Sequence, residues 1–365
     1  MRLSEEEIRK RLLESAEQYK PLVFMGLEEE SLPAKGVRTD AIVKVSTENG
    51  LSFKALVEIS TVANPKTLLQ KCRVLRDKLT KINEPGLVPV VVAPYIGNRQ
   101  IRILADERIS WIDLSGNMLI QAPNQLYIER TGNPNRFPDT VPIRKIFQGT
   151  SSLVSRALLL KPDGFSSLYK ITDFINSRNA NITSSTVSKV LKSLEQELLV
   201  DKSKSLISAR DTEKLLERLT EGYISSTERK PKKTYRFAAD NITNLFLNFF
   251  EQQVDYVACG FYAAKLKGMA ATNEITIFVK DIKQVRKVSE RSLYKVEFAP
   301  DAEFGNLTIT ETNDPGVWFN TSKQMNYAMV DDIELYLEMM AATPRGPEIA
   351  KQIKQRILKR TNIDG

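Results

Sequence analysis

The stretch NITSSTVSKVLKSLEQELL, residues 181–199, predicts a helix with two unlike halves. Val187, Val190, Leu191, Leu194 and Leu198 recur at i, i+3, i+4, i+7 and i+11, the spacing of one buried stripe. The first turn is small and polar, with Thr183, Ser184, Ser185, Thr186 and Ser188, and Lys189 and Lys192 leave the other side. A helix that begins on short hydroxyl side chains brings its free N–H groups close to another backbone, and those groups suit phosphate. The second helix of a helix-turn-helix needs these properties to enter a major groove. An ordinary amphipathic helix with a Ser/Thr cap has the same pattern, so the neighbouring segments decide.

Those neighbours complete a motif. SSLVSRALLLKP (151–162) predicts a helix stopped by Pro162, and Ser167 caps a second helix carrying Leu168, Ile171, Phe174 and Ile175. VDKSKSLISAR (200–210) reads as a short hairpin with Lys202, Ser203 and Lys204 at its tip, and 211–224 as a closing helix. Three helices and a small β wing over 151–226 are the order of a winged helix-turn-helix. The charge agrees. Residues 151–236 hold sixteen Lys/Arg against ten Asp/Glu, an excess of +6, whereas the rest of the chain supplies only +2 of the total +8. A localised basic surface is the footprint of a polyanion partner. Arg229, Lys230, Lys232, Lys233 and Arg236 contribute five of those charges and would equally suit a solvated linker. The expected DNA contacts are Ser184, Ser185, Thr186 and Ser188 to phosphates or base edges, and Lys189 and Lys192 to the backbone or guanine. Lys202 and Lys204 reach phosphates or the minor groove from the wing. No arginine stands in the exposed half of the helix, so specificity is expected from Ser/Thr contacts, DNA shape or dimer spacing.

The totals bound the chemistry. A chain of 365 residues exceeds one core, and 42% apolar with 27% charged residues is a globular composition. No apolar run is long enough for a bilayer, and MRLSEEEIRKRLLES is a charged amphipathic start rather than a signal peptide, so the expected location is cytoplasmic. The complete lack of histidine excludes His-dependent triads, His general bases and His-ligated zinc within this chain. Cys72 and Cys259 match no metal-ligand spacing and are expected to be buried and reduced.

Residues 1–137 predict a mixed α/β domain. A helix over 4–20 is followed by strands 41–47 and 51–60 joined at Asn49-Gly50, a helix from Pro65 to 82, and a buried strand in VPVVVAPYI (88–96). A short helix (98–107) and strands within 109–121 and 125–130 complete it. Asp40 precedes one strand of the hairpin and Glu58 ends the other, the pattern of the PD-(D/E)XK nuclease fold, in which two carboxylates hold a divalent ion and a lysine helps activate water. Here the lysine position is Ser60. Lys54 shares a face with Glu58 but lies roughly 13 Å away along the strand, and Lys66 or Lys71 could fold back from the following helix. The expectation is an inactive scaffold or DNA-contacting surface. In WIDLSGN (111–117), Asp113 and Asn117 are expected to bond their own turn. A proline-bearing linker covers 138–150 and a basic linker 227–236. Residues 237–365 predict a second α/β domain. Its CGFYAAKLKG (259–268) places Phe261 after the glycine, and the following strand ends in the single acid Asp281, short of the carboxylate pair that nucleotidyltransferases use.

The combined pattern resembles the bacterial regulators grouped with the antitoxins of type IV abortive-infection (AbiEi-like) toxin–antitoxin systems. The resemblance lies in VEIS-x3-NP (57–65), PVVVAPYI, WIDLSGN followed by YIERTGNPNR (127–136), TSSTVSKVLKSLEQELLV, CGFYAAKL, LYLEMM (335–340) and PRG (344–346). It implies a restriction-endonuclease-like N-terminal region, a central winged helix that binds DNA, and a C-terminal nucleotidyltransferase-like antitoxin region without catalysis. It also implies autoregulation through inverted repeats. The expected function is therefore a non-enzymatic DNA-binding transcriptional regulator, a homodimer on double-stranded DNA, with no cofactor and no membrane partner. Two alternatives stand beside it. One is a Mg2+-dependent nuclease using Asp40 and Glu58; the other is an interaction protein whose 237–365 region holds a toxin partner.

Overall fold

Asn49-Gly50 closes a hairpin between strands Ala41–Thr47 and Ser52–Ile59. Gly50 takes φ +83°, a region glycine enters without a Cβ penalty, and its N–H donates to the Thr47 carbonyl at 2.9 Å. In this computed structural model the described residues are 3–28, 41–122, 126–137, 144–227, 233–290, 293, 298–300, 305–324, 327–342 and 345–359. The chain is mixed α/β and divides into two units: Met1–Ile143 with Gln196–Leu198, and Arg144–Glu195 with Leu199–Gly365.

The first unit runs α1 (Glu5–Glu14), β1 (Leu22–Glu28), β2 (Ala41–Thr47), β3 (Ser52–Ile59), α2 (Pro65–Ile82), β4 (Val88–Ala93), α3 (Asn98–Asp106), β5 (Ser110–Asp113), β6 (Met118–Ala122) and β7 (Leu126–Arg130). Its sheet order equals its chain order. The strands β1–β2–β3 form an antiparallel meander, β3–β4 and β4–β5 are parallel across α2 and α3, and β5–β6–β7 return antiparallel. Parallel neighbours need a crossover, and α2 and α3 supply it. Asn64 caps α2 by accepting from Thr67 N (2.9 Å), Pro65 opens the helix, and Asn83 ends it in the left-handed conformation. Alternate strand residues feed two cores. Leu56, Val91 and Trp111 pack with Leu68, Cys72 and Leu75 of α2; Val57, Val90 and Ile112 pack with Ile8 and Leu12 of α1.

Two local expectations change. The helix expected over 4–20 breaks after Glu14, and Ala16–Tyr19 form a 3-10 turn. β1 has no strong sequence signal of its own; pairing with β2 across a register irregularity makes it a strand.

The second unit runs α4 (Gly149–Leu160), α5 (Leu168–Asn176), α6 (Ser184–Gln196), β8 (Val200–Lys202), β9 (Ile207–Ala209), α7 (Thr212–Thr227), β10 (Lys233–Ala239), α8 (Ile242–Glu251), β11 (Tyr256–Ala258), α9 (Gly260–Leu266) and β12 (Ile275–Val279). It continues through α10 (Ile282–Glu290), β13 (Phe298–Pro300), β14 (Leu307–Glu311), α11 (Pro315–Trp318), β15 (Ser322–Gln324), β16 (Tyr327–Met329), α12 (Asp332–Ala341) and α13 (Gly346–Lys359). Seven strands form one mixed sheet in the order β13-β10-β14-β12-β11-β16-β15. Of the stretch expected as a basic linker, residues 228–232 lie outside the described residues, and Lys233–Arg236 begin β10. Of the expected linker 138–150, residues 138–143 lie outside the described residues; Arg144–Phe147 form a 3-10 turn and Gly149 opens α4.

One apolar cluster runs through this whole unit, from Leu153, Ile171 and Val187 to Phe237, Ile309 and Leu335. A buried ion pair joins its parts: Arg156 of α4 meets Glu334 of α12, with side chains 3% and 1% exposed. Tyr223 of α7 donates to the other Glu334 oxygen (3.3 Å). Gly316 makes room for the guanidinium, since a Cβ there would lie 2.7 Å from Arg156 Nη2.

Candidate nucleic-acid interface

The α5–α6 corner is built by side-chain hydrogen bonds to the turn. Asn176 accepts from Ile182 N (2.8 Å) and donates to Ile182 O (3.1 Å), closing the loop between the helices. Thr172 of α5 touches Ser184 of α6, hydroxyl to hydroxyl, at 3.3 Å. Thr183 starts α6: its hydroxyl accepts from Thr186 N (3.3 Å) and its carbonyl from Val187 N (3.0 Å). Val187, Val190, Leu191 and Leu194 are buried as their spacing predicts. Leu198 is not part of that stripe. The helix stops at Gln196, Leu198 turns left-handed at φ +56°, and Leu199 takes the buried place, its N–H donating to Leu194 O (2.9 Å).

On the opposite arc, Ser185, Ser188, Lys189 and Lys192 are exposed. Ser184 and Thr186 are half-buried on the flanks, Ser184 turned to α5 and Thr186 bonded to the Thr183 hydroxyl (2.9 Å). The hairpin β8–β9 follows, with Lys202 and Lys204 exposed at its tip. Ser203 shapes that tip, its hydroxyl accepting from Leu206 N (3.0 Å). Phe165 adds a bridge to Ile207, and Gly164 (φ +82°) lies so close that a Cβ would stand 2.5 Å from Ile207 O. Sequence reasoning passed over Tyr169, 66% exposed, and Lys170, exposed beside it in the first turn of α5. An aromatic beside Lys170, off the apolar stripe of Leu168, Ile171 and Ile175, was the available signal. No acid occurs in α6 before Glu195. The arrangement therefore offers hydroxyls, ammonium groups and a helix N-terminus on one exposed side, a set suited to phosphate oxygens.

The nuclease-like carboxylate has a different environment. Glu58 is 3% exposed at the end of β3, and both its oxygens are held by ammonium groups of α2: Lys71 at 2.9 Å and Lys78 on the other oxygen. Lys71 and Lys78 are seven residues apart and so share one helix edge. Lys71 thus does fold back, while Lys66 is exposed and Lys54 pairs with Glu84 (3.1 Å). Ser60 donates to Val62 O (2.8 Å). Asp40 lies outside the described residues. Among the described residues no group of three or more Cys, Asp or Glu is placed to hold a metal ion.

Asp113 is fully buried and serves its own turn. One oxygen accepts from Ser115 N and Asn117 N (both 2.9 Å), the other from Asn117 Nδ2 (2.9 Å) and Ile96 N (3.2 Å). Burial raises its pKa against the lowering effect of these bonds. Asn117 also accepts from Asn133 N (2.8 Å), which ties WIDLSGN to the segment after β7.

In the C-terminal sheet, Gly260 (φ +57°) starts α9, and its N–H donates to Glu338 of α12 (2.8 Å), so a carboxylate of the chain itself occupies that position. Asp281 accepts from Lys283 N (2.8 Å) at the start of α10. Cys72 and Cys259 are buried and form no disulfide; burial pushes Cys72 up to about 11. No described helix is long and apolar enough to cross a membrane.

No family model and no curated protein matches the chain. Among solved structures, one described as "Structure of EndoMS-dsDNA2 complex" is similar at 16% identity over 33% of this chain and 46% of that one, with a TM-score of 0.19. The chain thus spans under half of that protein's length, and a superposition this poor carries no argument about fold or activity.

Proposed function

We propose that this chain is a DNA-binding transcriptional regulator of the AbiEi-like kind, acting as a homodimer on double-stranded DNA. The observation that carries the reading is the exposed face Ser185, Ser188, Lys189 and Lys192 of α6, with Lys202 and Lys204 on the hairpin beyond it. In this reading α4 to α7 are a winged helix-turn-helix, and α6 enters the major groove. The helix, three-strand meander, crossover helix and parallel strand of the first unit support a restriction-endonuclease-like ancestry. The mixed sheet around β11–α9–β12 is consistent with a nucleotidyltransferase-like region. Two ammonium groups on Glu58 weigh against cleavage there, because a divalent ion would have to displace both.

The test is a titration of the full chain against the duplex upstream of its own gene and against random duplex. A marked preference for the first, lost in Lys189→Ala/Lys192→Ala, and a steep fall in affinity with salt are expected. Equal affinity for both duplexes at moderate salt would overturn the reading.

A further inference from the structure

The regulator reading leaves a second cationic surface unused, on the outer face of α2. This helix carries six Lys/Arg, at 66, 71, 73, 76, 78 and 81, against one acid, Asp77. The opposite face of the same sheet is covered by α1, which carries four Glu against three Lys/Arg. The excess therefore belongs to one side of the first unit. Leu68, Cys72, Leu75, Leu79 and Ile82 point into the core, and Lys71 and Lys78 on the edge are consumed by Glu58. Arg76 pairs with Glu107. Lys66, Arg73 and Lys81 stand on the exposed arc, and Arg73 and Lys81 have no ion pair among the described residues. Arg102 and Arg108 of the adjoining α3 region are exposed as well.

We propose that the solvent face of α2 is a second, sequence-independent binding site for the phosphate backbone of duplex DNA, with Lys66, Arg73 and Lys81 as its contacts. The choice of duplex DNA among polyanions rests on the regulator reading; the site itself rests on charge and exposure. At about 1.5 Å per residue the three cations lie roughly 10 and 12 Å apart along the helix. That spacing is comparable to the major-groove width of about 12 Å, so the helix can span from one strand to the other. Between them stand Gln70, Asp77 and Thr80. The apolar side chains bordering this face, Leu69 and Val74, are half-buried on the flanks and leave the cationic arc itself polar, which is unsuited to insertion into a lipid surface. Such contacts position the protein and carry no sequence information.

The experiment compares full-length wild type, Lys66→Gln/Arg73→Gln/Lys81→Gln, the charge-conserving Lys66→Arg/Arg73→Lys/Lys81→Arg, and Lys189→Ala/Lys192→Ala. Each is titrated on random and promoter duplex between 50 and 200 mM salt. Each neutralised contact should lower the salt slope by about 0.9, so the α2 triple variant should lose about 2.7 of slope and roughly tenfold in affinity on both duplexes alike. The charge-conserving triple should bind as wild type. An α2 triple with unchanged slope and affinity overturns the proposal, as does one that loses only promoter preference. Binding of the wild type to phosphatidylserine vesicles but not to random duplex overturns it too. If Lys189→Ala/Lys192→Ala leaves promoter binding intact while the α2 triple still weakens random duplex, the winged-helix reading fails and the α2 site stands.

Discussion

Burial strips the water from Glu58, and Lys71 and Lys78 offset that loss by holding both its oxygens. Glu58→Gln should therefore leave the Lys78 ammonium without its carboxylate and Lys71 with Glu5 (3.9 Å) in place of Glu58, and destabilise the first unit by about 2 kcal/mol, less than for a fully buried pair because Lys71 keeps an acid and both lysines retain some solvent. A urea melt measures this. Asp331 sets a pH dependence. It caps α12 by accepting from Glu334 N (2.7 Å), and burial, opposed by Arg156, pushes its carboxyl up to about 6. The folded state holds this proton after the unfolded chain has lost it, so its contribution to stability falls as pH rises from about 4 to 6 and is level above. Asp331→Asn keeps a capping oxygen and removes the charge. It should gain stability over wild type across that window, by up to about 3 kcal/mol above pH 6. Thermal melts at pH 4.5, 5.5 and 7.5 would show it; parallel curves for the two proteins would contradict it. The lysines that meet Glu58 were only partly legible: Lys71 was a candidate, whereas Lys78 needs the packing angle of α2 on the sheet.

Helices with a complete stripe, such as α2 and α6, were legible, because their periodicity reports the one face they bury. Their ends were less so. Nothing in Glu-Leu-Leu announces that Leu198 leaves the helix left-handed and hands its buried place to Leu199; the start of β8 imposes it. The outward set of α6 was legible for Ser185, Ser188, Lys189 and Lys192, while Ser184 is drawn to Thr172 by a partner twelve residues away. The strands β10 and β16 escaped because they pair with strands distant in sequence, β14 and β11, and β15 because it is a three-residue edge strand held by β16. Gly164 joins two elements of the corner. Gly164→Ala should cost about 2–3 kcal/mol, from a positive φ plus a Cβ driven into Ile207 O, and the hairpin should lose amide protection in hydrogen exchange before α6 does.

For the molecule as a whole, the expected break after residue 226 does not separate two cores. Arg156 and Glu334 are 178 residues apart, yet they form a buried pair within one apolar cluster. Arg156→Met removes the cation that pairs with the buried Glu334, and should destabilise the second unit by about 3–5 kcal/mol. Calorimetry should show α4–α7 and the C-terminal sheet melting in one transition, in wild type and variant alike. A separate early transition assigned by exchange to residues 149–227 would contradict that.

What the sequence by itself determined is local: the Asn-Gly hairpin, the amphipathic faces of α2 and α6, the capped corner and the lack of imidazole chemistry. Each follows from residues within a few positions of one another, where backbone propensity and side-chain period act. Only the tertiary structure decided that two lysines occupy Glu58, that Asn133 closes on Asn117, and that a guanidinium from α4 lies beneath α12. Those contacts close long loops, and burial, with the need to satisfy each buried charge, selects them only once the chain has packed.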